Sequence, residues 1–229
     1  MHAIIELTGN PGAGKTTLAT LFSEELARAS VLFIDASPDQ KLTHDLAPEP
    51  PQLTLGELFS TPKEATSTRE GIDWAFHDLA MPVGEDNEII AVGDFPEVLS
   101  DTALEKLRYG LSRLIENYAY VVIDGHLPQL RKLLPDENMR TLMLVTPEQF
   151  ASWQPPNETE TLHTPALILN QYNKEPLPPA LEEALNQQQV RLVGKLPRYA
   201  TAEECVQKLP DDFKNCLLRL DIPINLGAP

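Results

Sequence analysis

The run Gly9-Asn10-Pro11-Gly12-Ala13-Gly14-Lys15-Thr16-Thr17 carries the most specific chemistry in the chain. Its first eight residues fill every fixed position of the pattern G-x-x-x-x-G-K-[ST]. Glycines at those points let the backbone curl so that its N–H groups converge on an anion. A helix starting at Lys15 adds the positive end of its dipole. Lys15 would place a point charge on the β- and γ-phosphates of a nucleoside triphosphate, and the Thr16 hydroxyl is of the type that ligates Mg²⁺. The bland alternative is a glycine-rich turn with no ligand. A strand-like run before the motif and an amphipathic stretch after it argue for the phosphate loop. The expected ligands are a purine nucleoside triphosphate and Mg²⁺.

Such a loop needs a carboxylate at the end of a neighbouring strand to hold the metal or its water shell. Two are placed for it: Asp35 after VLFI and Asp124 after YVVI. Ligands of open α/β sheets bind beyond the carboxyl ends of strands, so both are metal candidates together with Thr16. Lys15, Asp35 and Asp124 form the expected catalytic set. His126, two residues past Asp124, would be placed to sense the terminal phosphate, though a surface histidine in a turn is the plainer reading.

The elements that must position these groups are legible from periodicity. AIIELT over 3–8 reads as a buried strand, 15–29 as a helix with an apolar stripe, and 31–34 as a second strand. That strand–loop–helix–strand order is a βαβ unit and implies parallel pairing. Further strands are expected over 88–92, 119–123, 140–145, 166–169 and 190–193. The clearest helix spans 101–118, with Leu104, Leu107, Leu111, Leu114, Ile115 and Tyr118 on one face. Short helices are expected over 54–59, 71–81, 178–188, 200–209 and 212–220, and a loop over 154–164. The alternation predicts an α/β fold: a mostly parallel, twisted sheet flanked by helices on both faces, with residues 1–229 as one domain.

Bulk properties narrow the partners. The chain has 229 residues, 34 acidic against 18 basic side chains, and a net charge of −16. Nucleic-acid binding draws on clustered Lys and Arg, so direct nucleic-acid contact is disfavoured and a protein partner favoured. No apolar run approaches the roughly 20 residues of a membrane span, and the N-terminal run lacks a signal peptide's basic flank. A cytoplasmic protein is expected. Cys205 and Cys216 have no metal-ligand spacing and are expected as free thiols. Trp74, Trp153 and Tyr172 are too irregularly spaced for a stacking platform and are expected in the core or at its rim.

Taken in order, the phosphate loop at the start, VLFIDASPDQ, YAYVVIDGHLP, LILNQYN and GKLPR resemble the MinD/ParA group of P-loop ATPases. That group also contains the nitrogenase iron protein and the ATPase of nickel insertion into carbon monoxide dehydrogenase. The resemblance implies that Asp35 and Asp124 are the switch I and switch II aspartates. It further implies that Asn170 reads the adenine edge, and that Pro197 and Arg198 belong to the loop covering the base. A nucleotide-dependent homodimer is implied too. Two departures bear on activity. Asn10 stands where the group carries a second lysine that reaches across the dimer, and Ser37 where it carries the aspartate that orients the attacking water. Asp39 is the nearest carboxylate that could replace the latter.

Three functions remain open from sequence: a slowly hydrolysing ATP switch, a small-molecule or nucleotide kinase, and a binding-only relative. A kinase would need an arginine lid, for which Arg108, Arg113 and Arg131–Lys132 are the available cations. All three readings share the phosphate loop. Lys15→Ala should therefore weaken ATP binding by at least about tenfold, one lost charge-assisted contact, as measured by calorimetric titration.

Overall fold

A computed structural model describes residues 3–26, 29–60, 68–125, 128–134, 139–154 and 163–220. Its strands are β1 (Ala3–Thr8), β2 (Val31–Asp35), β3 (Met81–Pro82), β4 (Asn87–Ala91), β5 (Tyr120–Asp124), β6 (Met139–Val145), β7 (Ala166–Leu169) and β8 (Arg191–Lys195). They form an eight-stranded sheet in the order β3-β4-β2-β5-β1-β6-β7-β8. All pairings are parallel except that of β3, a two-residue edge strand lying antiparallel to β4. Pro82 has no N–H to offer at that edge, which suits a place where pairing stops.

Strands buried on both faces read as unbroken apolar runs, and β2 and β5 are buried at every residue. Side-chain alternation divides β1 between two cores. Ile5 and Leu7 join Phe33 and Val122 under α1 (Lys15–Glu25), α2 (Lys41–Leu46) and the C-terminal helix. Ile4 joins Leu32, Ile34, Val121 and Ile123 under α3 (Leu55–Ser60), α4 (Arg69–Leu79) and α5 (Asp101–Ile115). A third core packs β6 and β7 against a 3₁₀ turn (Pro147–Ser152) and α7 (Pro179–Asn186).

Most expected elements are present within a few residues of their bounds. The helix expected over 101–118 stops at Ile115, leaving Tyr118 beyond its end. Residues 71–81 divide into the end of α4 and the strand residue Met81. The two helices expected over 200–209 and 212–220 are one, α8 (Ala202–Leu217), with Pro210 inside it. Proline removes a helical hydrogen bond, here the one to the carbonyl of Val206. Val206 is 76% exposed, so water can serve that carbonyl. The continuous helix seats Leu209, Phe213, Cys216 and Leu217 in the core, with Phe213 edge-on to Phe22 of α1 at 5.0 Å. Both cysteines are free. Trp153 is buried, whereas Trp74 is 64% exposed and belongs neither to core nor to rim. Most of the loop expected over 154–164 lies outside the described residues.

Besides Asp35 and Asp124 at the strand ends, a mid-strand residue breaks the apolar rule. Glu6, in the middle of β1, is 2% exposed. Its carboxylate pairs with Arg131 at 3.3 Å and accepts from Thr141 Oγ1 at 3.2 Å. Arg131 ends α6 (Pro128–Arg131), in the segment that follows Asp124 and covers the β1–β6 face with Leu130, Leu133 and Leu134. Removing one member of a buried pair strands the other charge. Arg131→Met should cost about 3–5 kcal/mol in denaturant titration, and Glu6→Leu with Arg131→Met should restore most of that loss.

Candidate nucleotide-binding site

The site lies beyond the carboxyl ends of the strands, with the phosphate loop between β1 and α1. The loop's turns need left-handed backbone: φ is +138° at Gly9 and +93° at Gly14. Space demands glycine there as well. A Cβ at Gly9 would stand 2.3 Å from the Leu144 carbonyl oxygen, and one at Gly14 would stand 2.5 Å from Asn170 Nδ2.

The loop's carbonyls are turned to donors. Gly9 and Asn10 carbonyls accept from Lys15 Nζ at 3.0 and 3.3 Å. Pro11 accepts from Gln149 Nε2 at 2.9 Å, and Ala13 from Asn170 Nδ2 at 2.8 Å. An anion site gains from this, because a carbonyl turned inward would repel phosphate. Gln149 is itself set by a capping box with Thr146 at the start of the 3₁₀ turn.

Thr16 and Asp124 are brought together as expected: Thr16 Oγ1 donates to Asp124 Oδ2 at 2.7 Å. Asp124 is fully buried and its Oδ1 has no hydrogen-bond partner. Burial drives its pKa up. The Thr16 bond opposes this, Asp35 raises it further, Lys15 lowers it, and Asp39 raises it. A buried acid with one unspent oxygen beside a hydroxyl fits a hard divalent cation. Thr16 and Asp124 are thus the residues that would hold Mg²⁺, which supplies charge neutralisation between the phosphates.

Asp35 differs from expectation. It stands opposite Asp124 in the β2–β5 register and is equally buried. Yet both its oxygens are engaged: Oδ1 by Ser37 N at 3.1 Å and by the Ser37 hydroxyl, Oδ2 by Thr43 N at 2.8 Å and Thr43 Oγ1 at 2.9 Å. The phosphate-side cavity, about 750 Å³, is lined by Asp39 and Asp124 but not by Asp35. The geometry makes Asp35 the anchor of the 36–43 turn. Ser37 spends its hydroxyl on that anchor. The structure places Asp39 on the cavity wall with Ala36, Pro38 and Lys41.

A second cavity, about 380 Å³, adjoins the loop on the β7–β8 side and is lined by Asn170, Pro197, Arg198, Tyr199 and Cys205. Gly14, Thr17 and Gln171 line both cavities. The expected base-side residues therefore do come together. Asn170, however, also works for the loop: its Oδ1 accepts from Gln171 N at 2.9 Å while Nδ2 holds Ala13. Arg198 reaches Glu148 at 3.6 Å across the surface, tying the base-side loop to the 3₁₀ turn. Asn10 is exposed, and His126 lies outside the described residues.

Sequence reading missed Thr43, Gln149, Lys41 and the Glu6–Arg131 pair. Two of these left a trace: T-P-E-Q over 146–149 is a capping-box pattern, and Glu6 interrupts an apolar strand. Thr43 and Lys41 carried no local signal.

A parallel sheet with helices on both faces and a phosphate loop after its central strand define the P-loop nucleoside-triphosphatase fold, in the form found in the MinD/ParA ATPases. A plasmid partition protein from Borrelia burgdorferi superposes with a TM-score of 0.63 at 17% identity, over 96% of this chain and 98% of that one. The cell division ATPase MinD of Pyrococcus furiosus gives 0.60 at 17% identity, over 96% and 99%. The septum site-determining protein MinD of Pyrococcus horikoshii, complexed with Mg-ADP, gives 0.53 at 19% identity, over 98% and 88%. No protein family and no curated protein matches the chain by sequence.

The raised pKa of Asp124 has a signed consequence for stability. The folded protein takes up this proton at a pH where the unfolded chain is still ionised, so folding is penalised above that window and not below it. Asp124→Asn should therefore raise the thermal midpoint of the nucleotide-free protein at neutral pH. Its advantage over the wild type should shrink as pH falls through the raised pKa, in a series of melts from pH 7.5 downward.

Proposed function

We propose that this protein is a nucleotide-dependent switch that binds ATP with Mg²⁺, hydrolyses it slowly, and changes its affinity for a protein partner with nucleotide state. The observation that carries this reading is the pairing of Thr16 with a buried, half-satisfied Asp124 beside Lys15. The fold supports it, and so does a structural neighbour complexed with Mg-ADP.

In this reading Lys15 holds the phosphates, Thr16 and Asp124 hold Mg²⁺, and the base occupies the cavity of Asn170, Pro197 and Arg198. Residues 36–39 and Gly125 wall the phosphate cavity. They follow β2 and β5, so ordering them around a terminal phosphate would pass the nucleotide state to the surface. Net charge favours a protein over nucleic acid as the partner that reads this change. Slow turnover follows from the anchoring of Ser37 and from Asn10, which brings no charge.

A kinase is disfavoured by the placement of its arginines. Arg113 pairs with Glu116 and Arg131 with Glu6, and neither they nor Arg108 line either cavity. The binding-only reading gains from the engagement of both Asp35 oxygens, which leaves Asp39 and Asp124 as the carboxylates on the wall of the phosphate-side cavity.

Release of ADP and phosphate, measured with and without candidate acceptors, separates the three. The switch predicts phosphate release at under about 0.1 s⁻¹, a hundredfold below a typical enzyme. Phosphorylated acceptor would instead establish the kinase, and tight ATP binding with no product would establish the scaffold.

A further inference from the structure

Lys41 belongs to none of the roles assigned so far. It opens α2 and lines the phosphate-side cavity with Lys15, Asp39 and Asp124. Among the described residues it pairs with no carboxylate, although Asp39 is near in sequence. Among the described residues lining the two cavities, the cations are Lys15, Lys41 and Arg198.

Its backbone is fixed from both sides. Gln40 before it adopts the left-handed conformation, φ 49° and ψ 36°. Two residues after it, Thr43 is clamped to Asp35 Oδ2 through its N–H and its hydroxyl, at 2.8 and 2.9 Å. A buried carboxylate thus holds the turn that presents Lys41.

The sheet order gives the direction. The base-side cavity lies past β7 and β8, through Asn170 and Pro197, whereas Lys41 follows β2. The phosphate loop follows β1, which stands between them in the order β2-β5-β1-β6-β7-β8. A nucleotide with its base past β7–β8 runs across the loop toward β2, and the last phosphate is the one nearest Lys41. The charge that Asn10 does not bring to the loop is present on this second element.

Resting on the nucleotide-binding reading above, we infer that Lys41 contacts the terminal phosphate and makes the site selective for a nucleoside triphosphate over a diphosphate. It contributes little to the diphosphate, whose phosphates end over the loop and Lys15.

The test is equilibrium binding of ADP and of a non-hydrolysable ATP analogue, each with Mg²⁺, to the full chain. Lys41→Gln should weaken the ATP analogue about tenfold, the loss of one charge-assisted hydrogen bond, while ADP changes by less than about twofold. Lys41→Arg should restore the analogue to within about threefold of wild type, because charge rather than shape is read. The nucleotide-free melting temperature of both variants should match wild type. Parallel losses for both nucleotides, or no loss for either, would overturn this inference alone, provided that wild type binds both. Wild type that binds neither would overturn the nucleotide-binding reading and this inference with it.

Discussion

Asp35 and Asp124 end adjacent parallel strands in direct register, and neither has any exposed surface. Two carboxylates so placed repel each other and lose their hydration, and the fold around them must compensate. It does so unequally. Asp35 receives hydrogen bonds on both oxygens from Ser37 and Thr43, so its charge is spent on holding the chain after β2. Asp124 receives one bond, from Thr16, and retains an unspent oxygen. The same residue type at equivalent strand ends thus has two environments, and the difference lies in how many donors the described residues supply. A divalent cation would relieve what remains of the repulsion.

What could be read from the sequence follows from how local each signal is. The phosphate loop, the strand ends and the helix expected over 101–118 are written in short windows, and the structure carries all three, the helix ending at Ile115. The parallel sheet followed from unbroken apolar strands. The role of Asp35 could not be read, because Thr43 reaches it from the next helix and only the fold brings them together. The same holds for Gln149, which is 138 positions from the carbonyl it serves, and for Glu6, whose partner Arg131 lies on another element. Pro210 misled for a different reason. Proline's intrinsic cost is local, but the four core residues that α8 buries outweigh it.

Electrostatics at the site run against the molecule as a whole. The chain carries a net charge of −16, yet three cations among the described residues face the two cavities on either side of the loop. A strongly negative surface slows the approach of an anionic nucleotide, so affinity must come from short-range contacts within the cleft rather than from steering. In the proposed reading that would place weight on Lys15, on the loop's N–H groups and on metal at Asp124, and would make nucleotide binding sensitive to Mg²⁺ concentration.

The carbonyls of Pro11 and Ala13 are held from outside the loop, by Gln149 on one flank and Asn170 on the other. A cradle braced from two separate elements has already lost its conformational freedom when the protein folds. Little entropy would remain to be lost on anion binding, so in the proposed switch the loop would act as a rigid receptor and leave conformational response to the segments after β2 and β5. On that reading the molecule would divide into a stationary half that grips and a responsive half that reports, with β1 as the boundary between them.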